Sequence, residues 1–256
     1  MIGSGKMEVV KHKEIAHNIY EMTVIGQQVA QMKSPGQFVH IRVSDHSEPL
    51  LRRPISIASI DSETLEFTMI YRVDGRGTEL LSQKRSGDTI DVLGPLGNGF
   101  PVSAAETGQH AWLIGGGIGV PPLYELAKRL TSNGVKVTMI LGFQSAQDVF
   151  YEEAFKELGE TFITTVDGTY GTQGFVTTKM NELPEPPNVY YSCGPKPMLH
   201  AVEKALKGTP GYLSFEQRMG CGIGACFACV CPTTEGDGAY VKVCSDGPVF
   251  QAGVIA

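Results

Sequence analysis

Five of the six cysteines lie near the C-terminus, and their types and spacing point to metal chemistry. Cys221, Cys226 and Cys229 follow a CxxxxCxxC pattern, and fourteen residues separate Cys229 from Cys244. Thiolates are preferred ligands of soft metal ions and of iron–sulfur clusters. Glycines at positions 220, 222 and 224 permit the tight backbone turns with which one short loop can present three thiolates. The stretch is therefore predicted to hold a metal centre.

The spacing favours a [2Fe-2S] cluster, because three closely spaced cysteines followed by a distant fourth is the plant-type arrangement. The predicted ligands are Cys221, Cys226, Cys229 and Cys244. Structural zinc is the main alternative, since CxxC is half of a zinc knuckle, although zinc sites usually combine two separated pairs. Disulfides are less favoured in a chain without a secretory signal. Cys231 breaks the spacing and is predicted to be a buried thiol that binds no metal.

Composition limits the classes of protein that this chain can belong to. The 256 residues suit two medium domains and a small module. A net charge of -6 argues against nucleic acid as a partner, because phosphate binding needs clustered Lys and Arg. No run of 18 apolar residues is present, so a soluble, cytoplasmic protein without a membrane segment is expected. The first six residues are expected to be poorly ordered, with the first strand beginning at Met7.

Residues 1–103 read as short strands separated by turn signals, which favours a six-stranded antiparallel β-barrel. The predicted strands are Met7–Ala16, Ile19–Val29, Phe38–Val43, Ile55–Ile60, Thr64–Tyr71 and Thr89–Leu93, with one helix at Gly77–Gln83.

Residues 104–213 alternate strands with helices, the pattern of a doubly wound parallel α/β sheet. The predicted strands are Ala111–Ile114, Val135–Leu141, Thr161–Thr165, Val189–Ser192 and Gly211–Phe215. The predicted helices follow Pro122 and cover Glu152–Leu158, Thr177–Asn181 and Pro197–Leu206. Residues 214–256 then form the small cysteine module.

Two segments of the barrel could bind an anionic, aromatic ligand. Arg53 and Ser56 lie on one strand, where a guanidinium can pair with pyrophosphate and a hydroxyl can bind a ring edge. Gly77 and Thr78 begin the predicted helix, whose N-terminus is suited to anions, and Tyr71 could stack on the ligand. The alternatives are a surface salt bridge for Arg53 and a core position for Tyr71.

Two turns of the second domain could bind a dinucleotide. Gly115–Gly119 reads GGGIG between a strand and a helix, where glycines let a pyrophosphate approach the helix N-terminus. Cys193, Gly194 and Pro195 follow a later strand. The loop 142–148 contains no cation that could pair with a 2′-phosphate, which favours NAD over NADP. Asp148 in that loop could bind the ribose, or it could cap a helix. A tight turn without a ligand is the alternative for GGGIG, and a buried thiol is the alternative for Cys193.

The order of these motifs resembles the ferredoxin-NADP reductase superfamily, in which RxxS on a barrel strand binds FAD and a CGP motif lies beside the nicotinamide. More closely, the chain resembles the electron-transfer subunits of type B dihydroorotate dehydrogenase. The resemblance covers LLRRPISIA, YRVDGRGTELL, DVLGPLGNGFP, GGGIGVPPL, EQRMGCGIGACFACVCP and YVKVCSDGPVF. With this resemblance, the residues predicted to bind FAD or NAD are Arg53, Pro54, Ile55, Ser56, Ile70, Tyr71, Arg72, Gly77, Thr78, Gly115, Gly116, Gly117, Gly119, Cys193, Gly194 and Pro195.

The resemblance implies a function for the chain as a whole. Members of the family pair with an FMN-containing subunit that oxidises dihydroorotate in pyrimidine synthesis, as heterotetramers of two copies of each subunit. Electrons pass through the [2Fe-2S] cluster and FAD to NAD+, so no catalytic acid, base or nucleophile is expected in this chain. The alternatives are a reductase subunit for another acceptor, such as a hydrogenase or ferredoxin-linked complex, and a redox sensor without enzymatic activity.

Overall fold

The computed structural model describes residues 2–44, 48–236 and 238–256, and in this part of the chain six antiparallel strands near the N-terminus close into a barrel. The strands are β1 (Gly3–Ala16), β2 (Ile19–Ile25), β3 (Phe38–Arg42), β4 (Arg53–Asp61), β5 (Glu66–Arg72) and β6 (Thr89–Leu96). Their order around the barrel is β1-β2-β5-β4-β3-β6, and helix α1 (Arg76–Ser82) connects β5 to β6. The predicted barrel is confirmed.

Alternating apolar side chains explain why these strands close on themselves. Met22 and Val24 on β2, and Ile57 on β4, are almost fully buried within the barrel, whereas intervening positions face outward. Successive side chains of a strand point to opposite faces, so each strand contributes one row to the barrel core.

Two details of the barrel differ from the sequence prediction. The expectation of a poorly ordered lead-in was wrong, since β1 begins at Gly3 and pairs with β6 from Gly3↔Gly94 onward; Met1 lies outside the described residues. Strand β2 ends at Ile25, and Gln27–Gln31 forms a 3-10 turn where a longer strand was predicted. The turn carries Val29 into the barrel core, which a continued strand would not do.

A mostly parallel sheet forms the second domain. Its parallel strands are β7 (His110–Gly116), β8 (Lys136–Phe143), β9 (Glu160–Thr165), β10 (Thr172–Gln173), β11 (Val189–Cys193) and β12 (Gly211–Ser214), in the order β10-β9-β8-β7-β11-β12. The order reverses direction between β7 and β11, which is the switch point at which open α/β sheets bind ligands.

Helices cover both faces of this sheet. They are α2 (Pro121–Ser132), α3 (Glu152–Lys156), α4 (Val176–Glu182) and α5 (Lys196–Ala205). Leu113 on β7 shares a core with α2, while its neighbour Ile114 shares the opposite core with α4 and α5. Helix α2 starts with Pro121 in its first turn, where proline is well tolerated. Burial on both faces explains the nearly continuous apolar runs of the parallel strands.

The C-terminal module is joined to the second domain by a strand. Its short hairpin pairs β13 (Val230–Pro232) with β14 (Tyr240–Lys242), and β15 (Val249–Gln251) then pairs antiparallel with β12. This edge strand was not predicted. The boundaries 1–103, 104–213 and 214–256 remain predictions.

A buried carboxylate fixes the second domain against the barrel. Glu125 on α2 is 2% exposed, and its Oε2 accepts a hydrogen bond of 3.1 Å from the Ile60 amide on β4. Lys128 and Arg129 neutralise the same carboxylate at 2.6 and 2.7 Å. Because a buried charge is tolerated only when paired, this contact holds the two domains in one orientation.

Candidate functional site

Arg53 lies over the start of helix α1; neither Arg53 nor Gly77 lines the cleft described next, but their neighbours Pro54 and Thr78 do. A Cβ atom placed on Gly77 would lie 2.1 Å from Arg53 Nε, so the guanidinium passes directly over this glycine. Arg53 Nη1 also donates to the Leu51 carbonyl. A fixed guanidinium beside free helix amides is a suitable cradle for a pyrophosphate group.

The cleft has a volume of about 380 Å³ and collects residues from all three parts of the chain. It brings together most of the residues predicted for FAD, namely Pro54, Ile55, Ser56, Ile70, Tyr71, Arg72 and Thr78. Cys193 and Ile118 of the second domain and Gln217 of the C-terminal module complete its wall. We call this space the flavin cleft.

Two residues of this set have other partners than those predicted. The Tyr71 ring is 3% exposed, stacks on Tyr20 at a centroid distance of 6.0 Å, and hydrogen bonds through its hydroxyl to His12 at 2.8 Å. Burial raises the pKa of this phenol. The Thr78 hydroxyl accepts from the Asp74 amide and donates to the Gly75 carbonyl, at 2.9 and 3.1 Å. Both side chains therefore stabilise the wall of the cleft that they line, and their contact with FAD stays a prediction.

A second cleft, of about 630 Å³, lies at the carboxyl edge of the parallel sheet. Gly116, Gly117, Gly119, Gly194 and Pro195 line it, as predicted from the sequence, and Gln144, Val166 and Phe175 line the rest. Gly115, which was also predicted, belongs to β7 and is not among the residues that line this cleft. A Cβ atom on Gly119 would lie 2.4 Å from the Cys193 carbonyl oxygen, so the GGGIG and CGP turns pack directly on each other. We call this space the nucleotide cleft.

Arg72 and Glu216 line both clefts and mark the point where they meet. Arg72 was predicted, whereas Glu216 was missed. The sequence did indicate this position, because Glu216 follows strand β12 at the carboxyl edge of the sheet, where ligands bind. Glu216 is exposed to solvent, but the surrounding protein atoms still reduce its hydration and raise the pKa of its carboxyl. Burial likewise raises the pKa of the Cys193 thiol, which is therefore neutral.

The loop 142–148 contains no cation, as read from the sequence. Asp148 serves as a cap, since its carboxylate accepts from the Ser145 amide at 3.1 Å and from the Ser145 hydroxyl at 2.7 Å. The structure thus favours the capping role of Asp148 over the ribose contact.

The four predicted ligand thiols form two pairs. Cys229 and Cys244 are buried, with their Sγ atoms 3.2 Å apart, while Cys221 and Cys226 are partly exposed. Backbone amides already point at the sulfurs: Cys226 N donates to Cys221 Sγ at 3.3 Å, and Gly224 N donates to Cys244 Sγ at 3.2 Å. Two pairs of thiolates with amide donors suit a cluster in which each iron has two cysteine ligands.

The acidities of two thiols reflect this environment. Desolvation acts to raise the pKa of Cys221, but amides of Ile223, Cys226 and Ala225 outweigh it and lower the pKa to about 7. Burial and the adjacent Cys229 thiol raise the pKa of Cys244 to about 12. Binding of a cluster would therefore have to drive deprotonation of Cys244.

An unpaired polar side chain beside this loop also fits a bound group. His40 on β3 is 0% exposed, and neither ring nitrogen has a hydrogen-bond partner among the described residues. Burial lowers the pKa of its imidazole, which is therefore neutral. Cys231, by contrast, is 3% exposed on β13 and accepts a hydrogen bond of 3.4 Å from Gln217, which agrees with the predicted buried thiol.

Comparison with known proteins gives the same three parts. Residues 6–100 match the oxidoreductase FAD-binding domain, residues 113–204 the oxidoreductase NAD-binding domain, and residues 216–256 the iron-sulfur cluster binding domain of dihydroorotate dehydrogenase B.

Two full-length relatives and one solved structure are similar to this chain over nearly its whole length. The electron transfer subunit of dihydroorotate dehydrogenase B (NAD(+)) from Geobacillus sp. (strain WCH70) is 58% identical over 255 residues, which cover 100% of this chain and 99% of that protein. The corresponding subunit from Bacillus pumilus (strain SAFR-032) is 60% identical, covering 98% and 97%. A chain of the NADH-dependent reduced ferredoxin-NADP oxidoreductase, solved in a study of flavin-based electron bifurcation, superposes with a TM-score of 0.87 at 31% identity, covering 99% and 91%.

A flavin barrel, a nicotinamide domain and a cysteine-rich iron–sulfur module together define an NAD-dependent flavin and iron–sulfur oxidoreductase. Within that class, the chain belongs to the family of electron transfer subunits of dihydroorotate dehydrogenase B (NAD(+)). The family, the fold and the FAD, iron–sulfur and NAD domains predicted from the sequence are confirmed. No helix in the described part of the chain is long and apolar enough to cross a membrane.

Replacement of Glu216 by glutamine is expected to weaken NAD+ binding. An ionised Glu216 at the meeting point of the clefts would attract the positively charged nicotinamide ring of NAD+ but not the neutral ring of NADH. Exposed charge pairs contribute roughly 0.2–1 kcal/mol, so the KM for NAD+ should rise by up to about fivefold.

The charge of Glu216 also predicts the direction in which the KM for NAD+ changes with pH. Because partial desolvation raises the pKa of Glu216, the wild-type KM for NAD+ should fall as pH rises through that pKa, above the ordinary carboxyl value of about 4.3. Steady-state kinetics from pH 5 upward should show this change in the wild type and in a Glu182→Gln control on exposed α4, but not in Glu216→Gln. A KM profile that is the same in all three proteins would remove Glu216 from the NAD site.

Proposed function

We propose that this chain transfers electrons to NAD+ from a separate FMN-containing subunit, which oxidises dihydroorotate. The electrons would pass through a [2Fe-2S] cluster on four cysteines and through FAD in the flavin cleft. The observation that carries the proposal is the composition of the flavin cleft. Ser56 of the barrel, Cys193 of the nicotinamide domain and Gln217 of the cluster module all line it. A group bound there lies next to both other sites.

The residues of the flavin cleft are suited to hold FAD in one orientation. When bound, FAD exchanges a hydride with a nicotinamide and single electrons with an iron–sulfur cluster. Arg53 would pair with its pyrophosphate above Gly77. Ser56 and the backbone of Pro54 to Ser56 would bind the polar edge of the ring, and Ile70 would cover it.

The nucleotide cleft is suited to NAD. The GGGIG turn would approach the pyrophosphate, and the turn formed by Cys193, Gly194 and Pro195 would lie beside the nicotinamide. Ile118 lines both clefts, so a nicotinamide bound at this end of the nucleotide cleft would face the flavin cleft. No side chain needs to act as an acid, base or nucleophile, because hydride transfer is chemistry of the cofactors.

The surface around the cysteine loop is suited to a protein partner. Ile223 and Phe227 on the loop and Tyr240 on β14 are all exposed, and the Phe227 and Tyr240 rings are in contact at a centroid distance of 5.8 Å. Exposed apolar groups beside a redox centre suggest a surface that the catalytic subunit covers. A heterotetramer with two copies of each subunit and a cytoplasmic location complete the proposal.

Reconstitution tests this function. The chain purified with its catalytic partner should convert dihydroorotate and NAD+ to equal amounts of orotate and NADH, while the partner alone should reduce dyes but not NAD+. Bound flavin and iron should be present in the chain, as seen by absorption and EPR spectra. Reduction of NAD+ by the partner alone, or a chain without flavin, would contradict the proposal.

One observation favours a second candidate acceptor. The similarity to the NADH-dependent reduced ferredoxin-NADP oxidoreductase chain is consistent with a ferredoxin-linked complex. Isolation of the native complex distinguishes the two, because the preferred proposal requires a partner that oxidises dihydroorotate.

A further inference from the structure

His40 is a buried histidine for which the described residues provide no hydrogen bond. Its ring is fully enclosed, and both ring nitrogens lack a partner in the part of the chain that the structure describes. An unsatisfied buried polar group destabilises a native fold, so such a group calls for a partner that is bound later.

The ring of His40 faces the cysteine loop. A Cβ atom on Gly222 would lie 2.6 Å from His40 Nδ1 and 3.3 Å from its Cγ and Cε1, so this nitrogen points at the loop between Cys221 and Cys226. Gly222 has φ +74, a conformation that favours glycine and lets the loop pass close to the ring. Backbone groups of Arg52 and Cys221 lie near the imidazole but do not reach hydrogen-bond geometry.

His40 lies behind the wall of the flavin cleft, on strand β3. His40 pairs with Pro54 between β3 and β4, and both Pro54 and Phe38, two residues before His40, line that cleft. The side chain therefore connects the strands that would hold FAD with the loop that would hold the cluster.

We propose that His40 is a positioning residue for the iron–sulfur centre, whose Nδ1–H donates to a sulfur of the bound cluster or its cysteine ligands. The inference rests on the proposed function, because it requires the cluster. A hydrogen bond to sulfur stabilises the more negative, reduced state, and such bonds are among the factors that set cluster potentials. His40 thus raises the midpoint potential of the cluster from the barrel side.

Three substitutions distinguish the effect of the His40 N–H donor from the effect of the volume of its ring. His40→Phe keeps an aromatic ring but removes both nitrogens, His40→Asn can place an amide N–H near the position of Nδ1, and His40→Gln places it near Nε2. His17→Phe, at an exposed histidine in the β1–β2 turn, is the matched control.

EPR-monitored redox titration of the full chain, purified with its catalytic partner, measures the effect. In His40→Phe, the ratio of reduced to oxidised cluster at a fixed potential should fall about tenfold, which for a one-electron couple is 59 mV. Asn should restore most of the loss, Gln should not, and the control should match the wild type. FAD content should be unchanged throughout.

A spectroscopic measurement keeps the inference testable if a variant does not fold. In the wild-type protein labelled with ¹⁵N only in histidine, the reduced cluster should show a hyperfine coupling to a histidine nitrogen. Equal potentials in the wild type and His40→Phe, or no histidine coupling in the wild type, would overturn the role of His40 and leave the proposed function intact. A wild-type chain without any cluster would overturn both.

Discussion

Replacing Cys226 with serine is expected to abolish electron transfer to and from the catalytic partner. Oxidation of NADH with a dye that accepts electrons directly from the flavin should continue. Cys226 is one of four predicted ligands, and loss of a thiolate leaves one iron without full coordination. Mutation of residues that only support metal ligands already lowers metal affinity or activity about 10- to 100-fold. Removal of a ligand itself should therefore reduce dihydroorotate-dependent NAD+ reduction to below about one hundredth of the wild-type rate.

Iron analysis, EPR of the reduced protein and the two rate assays measure this outcome. Cys231→Ser is the matched control, because Cys231 lies in the same hairpin region but is buried against Gln217 and is predicted to bind no metal. It should retain iron and both activities. Loss of iron in the control would mean that the ligand set is different. Loss of the dye reaction in Cys226→Ser would mean that the nicotinamide domain depends on the cluster.

The architecture could be predicted from local patterns. Short alternating strands such as β2 and β4 bury one row of side chains and predict a barrel, and the apolar stripe of α2 after the GGGIG turn predicts a helix on a parallel sheet. These features depend on neighbours in sequence, which is why their bounds agree to within a few residues.

The edge strand β15 shows what local patterns lack. Its three residues carry no signal of their own, and the strand exists because the chain returns from the cysteine hairpin to pair with β12. The N-terminal start of β1 is a similar case, since Gly3 to Lys6 become a strand only by pairing with β6.

In the candidate site, too, local sequence patterns were predictable, whereas contacts between distant segments were not. Cysteine spacing identified the cluster loop, and RPIS and GGGIG identified two clefts. Two side-chain arrangements depend on contacts between distant segments and were not accessible from the sequence: His40 under Gly222, and the turn of the Tyr71 ring toward His12.

Replacing Arg53 with alanine is expected to release FAD from the chain. The guanidinium lies over Gly77 at the start of α1, where a flavin pyrophosphate would bind, and hydrogen bonds to charged groups contribute about 1.5–3 kcal/mol. Since about 1.4 kcal/mol is tenfold in affinity, FAD binding should weaken about 10- to 100-fold. The measurements are flavin content after gel filtration and the Kd for FAD added back to the variant.

The adjacent arginine provides a control with the same change of charge. Arg52 pairs with Asp91 at 2.9 Å and donates to the His40 carbonyl, away from Gly77, so Arg52→Ala should retain FAD. Gly77→Ala should lose FAD although it removes no charge, because its Cβ would displace the Arg53 guanidinium. Equal flavin loss in Arg52→Ala and Arg53→Ala would mean that general positive charge attracts the cofactor. Full flavin content in both Arg53→Ala and Gly77→Ala would place the pyrophosphate elsewhere.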